Sequence, residues 1–182
     1  MKKIAILAAA FFAFVMPAKA ADMPIYKAAP AFNWTGFYVG AHIGYGWAED
    51  NAGITADGFL GGAQVGYNWQ LSRNWVFGIE GDISATDMTS AFGVSVDYIG
   101  TIRGRIGYAM DRTLIYATGG YAHTELSTGA TGDGYALGAG IEWAFAPNWS
   151  AKVEYMYHDF DFAVGSIEAS TVKFGVNYRF GR

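Results

Sequence analysis

His42, His123 and His158 are the only histidines in this 182-residue chain, and it has no cysteine. Without a thiol, both a disulfide framework and any cysteine-based metal or catalytic site are excluded. One cluster could do hydrolytic chemistry: His123, Glu125 and Ser127 occupy alternate positions. Alternate residues of a strand share a face, so a carboxylate could orient a histidine base beside a serine. No oxyanion-stabilising signal accompanies the triplet, and such spacing is common by chance. The simpler reading is a histidine at a strand end. The three histidines match no ligand spacing, and a histidine in a polar interior needs no metal. We therefore expect no catalytic, cofactor-binding or metal residue, and no cofactor.

The other chemically capable groups are charges at alternate positions: Glu80 and Asp82, Arg103 and Arg105, Lys152 and Glu154, with Glu142, Lys173 and Arg179 elsewhere. Each sits among small or polar residues opposite an apolar face. In the stretch Phe37 to Trp47, for example, Phe37, Val39, Ala41, Ile43, Tyr45 and Trp47 alternate with Tyr38, Gly40, His42, Gly44 and Gly46. This is the period of a β-strand with two unlike faces. Five positive and four negative groups on the small-residue face are nearly balanced. If that face is enclosed, its charges must pair with one another.

The chain start reads as an export signal. Lys2 and Lys3 precede an apolar run from Ile4 to Met16, and Ala18-Lys19-Ala20 has the form of a cleavage site. That run is shorter than the roughly 20 residues a spanning helix needs, and no other stretch is long enough. We expect a signal peptide over 1–20, a Pro/Ala-containing extension over 21–32, a folded domain over 33–180 and a tail at 181–182. Without Lys2, Lys3 and Lys19 the chain has 9 basic against 16 acidic residues, a formal charge of −7. Such an acidic exported chain is a poor nucleic-acid binder. Glycine, at 25 residues, is about twice its usual share, while aromatics reach 17%. Disordered chains lack aromatics, so the pairing points to strands with one crowded and one aromatic-rich face.

Eight strands are expected, near 33–47, 58–71, 75–85, 97–110, 113–125, 133–145, 149–160 and 170–180. Face assignment is ambiguous only for the fifth. Short links at 72–74, 111–112 and 147–148 alternate with longer ones near 48–57, 86–96, 126–132 and 161–169. This is the plan of an eight-stranded antiparallel up-and-down transmembrane barrel, with both ends on the short-turn side. A soluble sandwich or lipocalin-like barrel is the rival. The aromatics decide between them. Trp69, Trp75, Tyr108, Trp143, Trp149, Tyr178 and Phe180 fall at one level, and Trp47, Phe59, Tyr98, Tyr135 and Tyr157 at another. Two aromatic girdles around an apolar band mark a bilayer.

The segments Asn33-Trp34-Thr35-Gly36-Phe37-Tyr38-Val39-Gly40, Phe77-Gly78-Ile79-Glu80-Gly81-Asp82 and Gly104-Arg105-Ile106-Gly107-Tyr108 carry a resemblance. So do Tyr116 to Ala122, Gly140-Ile141-Glu142-Trp143, Val153-Glu154-Tyr155 and Gly175 to Phe180. In this order they resemble the alphaproteobacterial outer-membrane β-barrel proteins grouped as the porin family. The resemblance implies a small eight-stranded surface barrel in the outer membrane of a Gram-negative cell. It also implies outer-membrane lipid, lipopolysaccharide and the barrel-assembly machinery as partners. Such chains usually end on an aromatic, whereas Gly181 and Arg182 follow Phe180 here.

Eight strands leave a lumen that side chains can fill. The first functional reading is a non-enzymatic envelope and surface protein whose lumen is plugged by the nine charged residues. The second is a passive small-conductance porin, since a charged constriction could line a narrow pore. A pore tuned to one ion sign should show an excess of that sign. Two minor readings come from the broad family: a haem-binding surface protein using the histidines, and a lipid A-modifying enzyme using His123, Glu125 and Ser127. The loops hold Glu49, Asp50, Asp57, Asp87, Asp161 and Glu168 but no Lys or Arg. A solvated surface explains them, and divalent bridging to lipopolysaccharide phosphates is a weaker alternative.

Overall fold

β-Branched and aromatic residues at every second position favour the pleated, half-buried state. The chain forms strands wherever that alternation holds. In the computed structural model, residues 32–50, 55–90, 96–126, 129, 131–162 and 165–181 are described. The signal-peptide and extension readings over residues 1–31 lie outside them. The strands are β1 (Gly36–Asp50), β2 (Thr55–Gln70), β3 (Trp75–Thr86), a two-residue β4 (Thr89–Ser90), β5 (Val96–Met110), β6 (Thr113–Leu126), β7 (Thr131–Trp143), β8 (Trp149–Phe162) and β9 (Gly165–Arg179). The eight long strands pair antiparallel with their neighbours in sequence, β4 adding only two pairs to β2. β1 bonds both β2 and β9, from Gly36↔Asn68 on one side and Tyr38↔Arg179 on the other. The sheet is therefore a closed eight-stranded barrel without free edges.

The apolar face points out. Ile43 and Ile102 are 70% and 71% exposed, while Arg103 is 1% exposed. A protein in water would bury these the other way round. In β6, Ile115 and Tyr121 face outward, and Leu114, Tyr116, Ala122 and Thr124 face inward. β6 read ambiguously because the inward face is itself apolar at both ends of the lumen. Near the short turns Phe32, Trp34, Val76, Ala109, Leu114, Tyr116 and Ala144 pack together. At the opposite end Ala48, Met88, Ile99, Ala122, Ala136, Met156, Phe160 and Ala169 do the same.

Three expectations need correction. First, Phe32 does not belong to an extension lacking a core: it is buried in the lower cluster beside Trp34, their rings 5.0 Å apart. Strand β1 starts only at Gly36. The segment before it enters the barrel mouth, where the Trp34 indole donates to the Asp111 carbonyl (3.0 Å) and the Phe32 amide to the Asp111 carboxylate (3.1 Å). Asp111 is the positive-φ residue (53°) of the two-residue β5–β6 turn. Secondly, the links do not alternate short and long. Phe162 pairs with Gly165, and β1 and β2 pair out to Glu49↔Thr55. Strands of 12 to 16 residues exceed the roughly 9–11 that cross a bilayer, so hairpin arms extend past the lipid. Their polar sequence there resembles a loop. Thirdly, Glu49, Asp50, Asp57, Asp161 and Glu168 consequently lie on strand ends rather than in loops.

Candidate functional site: a charged column and an outer rim

Inward glycines make room for the large side chains that share the lumen. A Cβ on Gly66 would sit 2.4 Å from the Tyr38 hydroxyl, and one on Gly140 2.6 Å from that of Tyr116. Both tyrosines lie across the lumen and carry the polar network toward its centre.

The nine charged residues come together as one column, and no charged side chain in it is more than 3% exposed. Arg103 is its hub, reaching Glu80 at 2.7 Å, Asp82 at 2.6 Å and Glu154 at 3.1 Å. Lys152 lies 2.9 Å from Glu80, and Lys173 lies 2.8 Å from Asp82. Toward the short turns, Glu142 accepts from Arg105 and Arg179, each at 2.9 Å, and from Ser150 and Asn177. Tyr38 donates to Glu80 (2.7 Å) and Tyr116 to Glu154 (2.7 Å), with the Arg105 guanidinium 3.9 Å above the Tyr116 ring. Arg179 stacks 4.2 Å over Trp34 and donates to its carbonyl at 3.0 Å. Arg103–Glu154 and Lys173–Asp82 tie together strands that share no backbone pairing. The sequence reading missed Tyr38, Tyr116 and Trp34. Parity places Tyr38 on the inward face, but nothing marks it as part of the network.

His42 also faces the lumen. Its Nδ1 lies 2.5 Å from Gln64 Oε1 and its Nε2 2.8 Å from Ser84 Oγ. This hydroxyl–imidazole–amide line resembles a nucleophile with its base and orienting group. Ser84 is fully buried, so the contacts serve to satisfy polar groups. His158 is buried higher up, stacked on Phe160 at 5.6 Å with Thr171 3.5 Å from its Nε2. His123 instead faces outward, so the three histidines do not converge. Among the described residues no group of three or more His, Asp or Glu could hold a metal ion.

His123 does not pair with Glu125, and Ser127 lies outside the described residues. Its Nδ1 instead lies 2.7 Å from Asp133 on β7, and Tyr121 donates to the same carboxylate. The Tyr121 and His123 bonds hold the Asp133 carboxyl below its ordinary value. Asp133 lies beyond the outer aromatic level. The same rim arrangement recurs as Tyr45 donates to Asp57 and Tyr135 to Asp159 (3.0 Å). Tyr45, Tyr121 and Tyr135 thus each donate to a carboxylate on the next strand.

Aromatic side chains pack against one another toward both ends of the strands. Near the short turns, Trp75 lies 5.6 Å from Tyr108, Trp149 5.1 Å from Tyr178, and Tyr178 5.1 Å from Phe180, while Trp143 contacts Phe145 and Trp69 contacts Tyr67. Toward the other end Phe59 packs edge-on against Tyr45, while Trp47 packs at a tilt against Tyr155, Tyr135 against Tyr157 and Tyr98 against His123.

A family model described as "Outer membrane protein beta-barrel domain" matches residues 5–180. The chain is 32% identical to the "31 kDa outer-membrane immunogenic protein" of Brucella melitensis, over 98% of this chain and all of that one. It is 33% identical to the "22 kDa outer membrane protein" of Rhizobium leguminosarum bv. viciae, over 83% and 80% of the two chains. Among solved structures, neisserial surface protein A superposes with a TM-score of 0.59 at 20% identity, over 80% of this chain and 98% of that one. Ail, the attachment invasion locus protein of Yersinia pestis, gives 0.54 at 16% identity, over 80% and 99%. At these identities the two structures speak for the barrel fold alone.

Proposed function

The chain belongs to the outer membrane protein β-barrel family, and from that membership we propose that it is a non-enzymatic barrel contributing to envelope structure and surface interaction, with its lumen closed. Its place is the outer membrane. The observation that carries the reading is the filled lumen. Five cations and four carboxylates are paired across it, and an apolar cluster stands at each end. An ion path through this column would require separating charges that hold one another at 2.6–3.1 Å, at several kcal/mol each. The relatives named as outer-membrane immunogenic proteins agree with a surface role. In this reading the partners are outer-membrane lipid and lipopolysaccharide, and the assembly machinery during biogenesis.

Deleting the gene in its host tests the role. An envelope protein should leave cells more sensitive to detergent and to chelation of divalent ions, with uptake of small hydrophilic solutes unchanged. Slower solute uptake with normal detergent tolerance would support the porin reading and sink this one.

A further inference from the structure

The charged column is not balanced along its length. Arg103, Lys152 and Lys173 pair with Glu80, Asp82 and Glu154, three cations against three carboxylates. Toward the short turns, Arg105 and Arg179 share the single carboxylate of Glu142, each at 2.9 Å. Arg105 also lies 3.6 Å from Glu80, which Arg103 and Lys152 already hold more closely. One positive charge is therefore left over in this half of the lumen, where an uncompensated buried charge is costly. Asp111 does not offset it. It stands exposed at the mouth, its carboxylate taken by the Phe32 amide, and it makes no ion pair with either arginine. The Trp34 ring that carries Arg179 on its face meets Asp111 only through the backbone carbonyl.

Unused donors stand beside that charge. Asn68, on β2, is fully buried, and neither end of its amide has a hydrogen-bond partner among the described residues. The Nε–H of Arg105 has none either. Gly78, on β3, pairs with Asn68 on one side and with Arg105 on the other. The two side chains converge over it: a Cβ on Gly78 would fall 2.4 Å from Asn68 Oδ1 and 2.9 Å from Arg105 Cγ. The ends of an amide interchange by a half-turn, so Asn68 can aim its Nδ2 at the point that the Arg105 Nε–H faces. Native proteins leave few buried polar groups unsatisfied. A water molecule would satisfy these donors and leave the surplus charge, whereas an anion answers both.

We propose that Asn68 and Arg105 hold one monovalent anion of chloride size in the short-turn half of the lumen, between the Asn68 amide and the Arg105 Nε–H. The anion supplies the negative charge that Arg105 and Arg179 lack with only Glu142 between them. Hydrogen bonds to an ionised acceptor are the strong ones, and here the donor is ionised too. An organic anion such as gluconate is too large for a space that a single Cβ would crowd. The ion completes the column whether or not the lumen conducts.

The test uses the folded full barrel in lipid vesicles, with urea midpoints measured in sodium chloride and in sodium gluconate at equal ionic strength. An anion bound only by the folded state lowers the unfolding equilibrium constant about tenfold for each tenfold rise in its concentration above the dissociation constant. Wild type should show this dependence on chloride and none on gluconate. Asn68→Asp places a carboxylate at the same point. In gluconate it should be at least as stable as wild type in chloride, and its chloride dependence should vanish. Asn68→Leu removes the donor and should abolish the dependence without that gain. Arg73→Ala, which removes an exposed cation at a turn, should keep the wild-type response, and a heat shift on a detergent gel checks that each variant folds. Equal wild-type midpoints in the two salts would mean that water alone meets the donors. Chloride dependence that persists in folded Asn68→Asp would put the anion elsewhere, and failure of Asn68→Asp to fold would show that no negative charge is wanted there. Any of these three results overturns the site.

Discussion

Replacing Arg103 by methionine removes the hub of the column while keeping much of its bulk. Three carboxylates lose a partner at 2.6–3.1 Å. They are not left equally bare. Glu80 retains Lys152 and Tyr38, and Asp82 retains Lys173 and Thr101. Glu154 keeps the Tyr116 hydroxyl, with Lys152 only at 3.8 Å. Simple counting would call the variant neutral, since four cations then face four carboxylates. Geometry says otherwise, because the charge is lost at the one point shared by three anions. Breaking a buried pair by deleting one partner costs about 3–5 kcal/mol. That corresponds to roughly two to four powers of ten in the unfolding equilibrium. Urea titration in lipid vesicles, read by tryptophan emission, should show the midpoint fall with little change in slope. Adding Glu154→Leu should cost less than the sum of the two single changes, by about 0.5–3 kcal/mol. A loss below about 1 kcal/mol for Arg103→Met, or strict additivity in the double variant, would refute the coupled column and leave these residues as independent, hydrated charges.

Further expectations follow from the same geometry. Gly66→Ala forces a Cβ within 2.4 Å of the Tyr38 hydroxyl and 2.6 Å of the Ile79 carbonyl, and should cost about 1–3 kcal/mol by overpacking in the same urea assay. Trp34→Ala empties the short-turn mouth of an aromatic that Arg179 stacks on and Asp111 anchors. It should destabilise by about 3–5 kcal/mol, read as a lower temperature for loss of the fast-migrating gel form. Asp133, held below the ordinary aspartate value of 3.8 by Tyr121 and His123, should stay ionised as pH falls past that value. Its bonds are intact above the ordinary value and lost only as pH drops through the lowered one. Carboxyl NMR would show the reduced midpoint, and Tyr121→Phe should raise it.

The membrane-facing band was legible because a lipid boundary imposes strict parity: an outward residue must be apolar, and its neighbours need not be. That rule placed Arg103, Glu142 and Lys173 inside from sequence alone. It lapses where the boundary lapses. Beyond the outer aromatics both faces meet water, so Ser166 and Glu168 read as a loop although they continue β9. At the lumen ends both faces are apolar, so Leu114 and Ile115 gave β6 two candidate orientations. The pairing inside the column was not legible at all. Arg103 meets Glu154 51 residues away, and only barrel closure brings them together. Trp34 looked like the start of a strand, because no local pattern distinguishes a residue that enters a lumen from one that begins its wall. His123 found Asp133 rather than Glu125, because cross-strand neighbours at the rim are closer than same-strand alternates.

Whether the lumen is closed is read from ionic current through the folded wild-type barrel in a planar bilayer. With the charged column and both apolar clusters in place, insertion confirmed by the gel shift should give no unitary steps at any salt concentration. Reproducible unitary steps whose size scales with salt would contradict the account, and would make the column the constriction of a working pore.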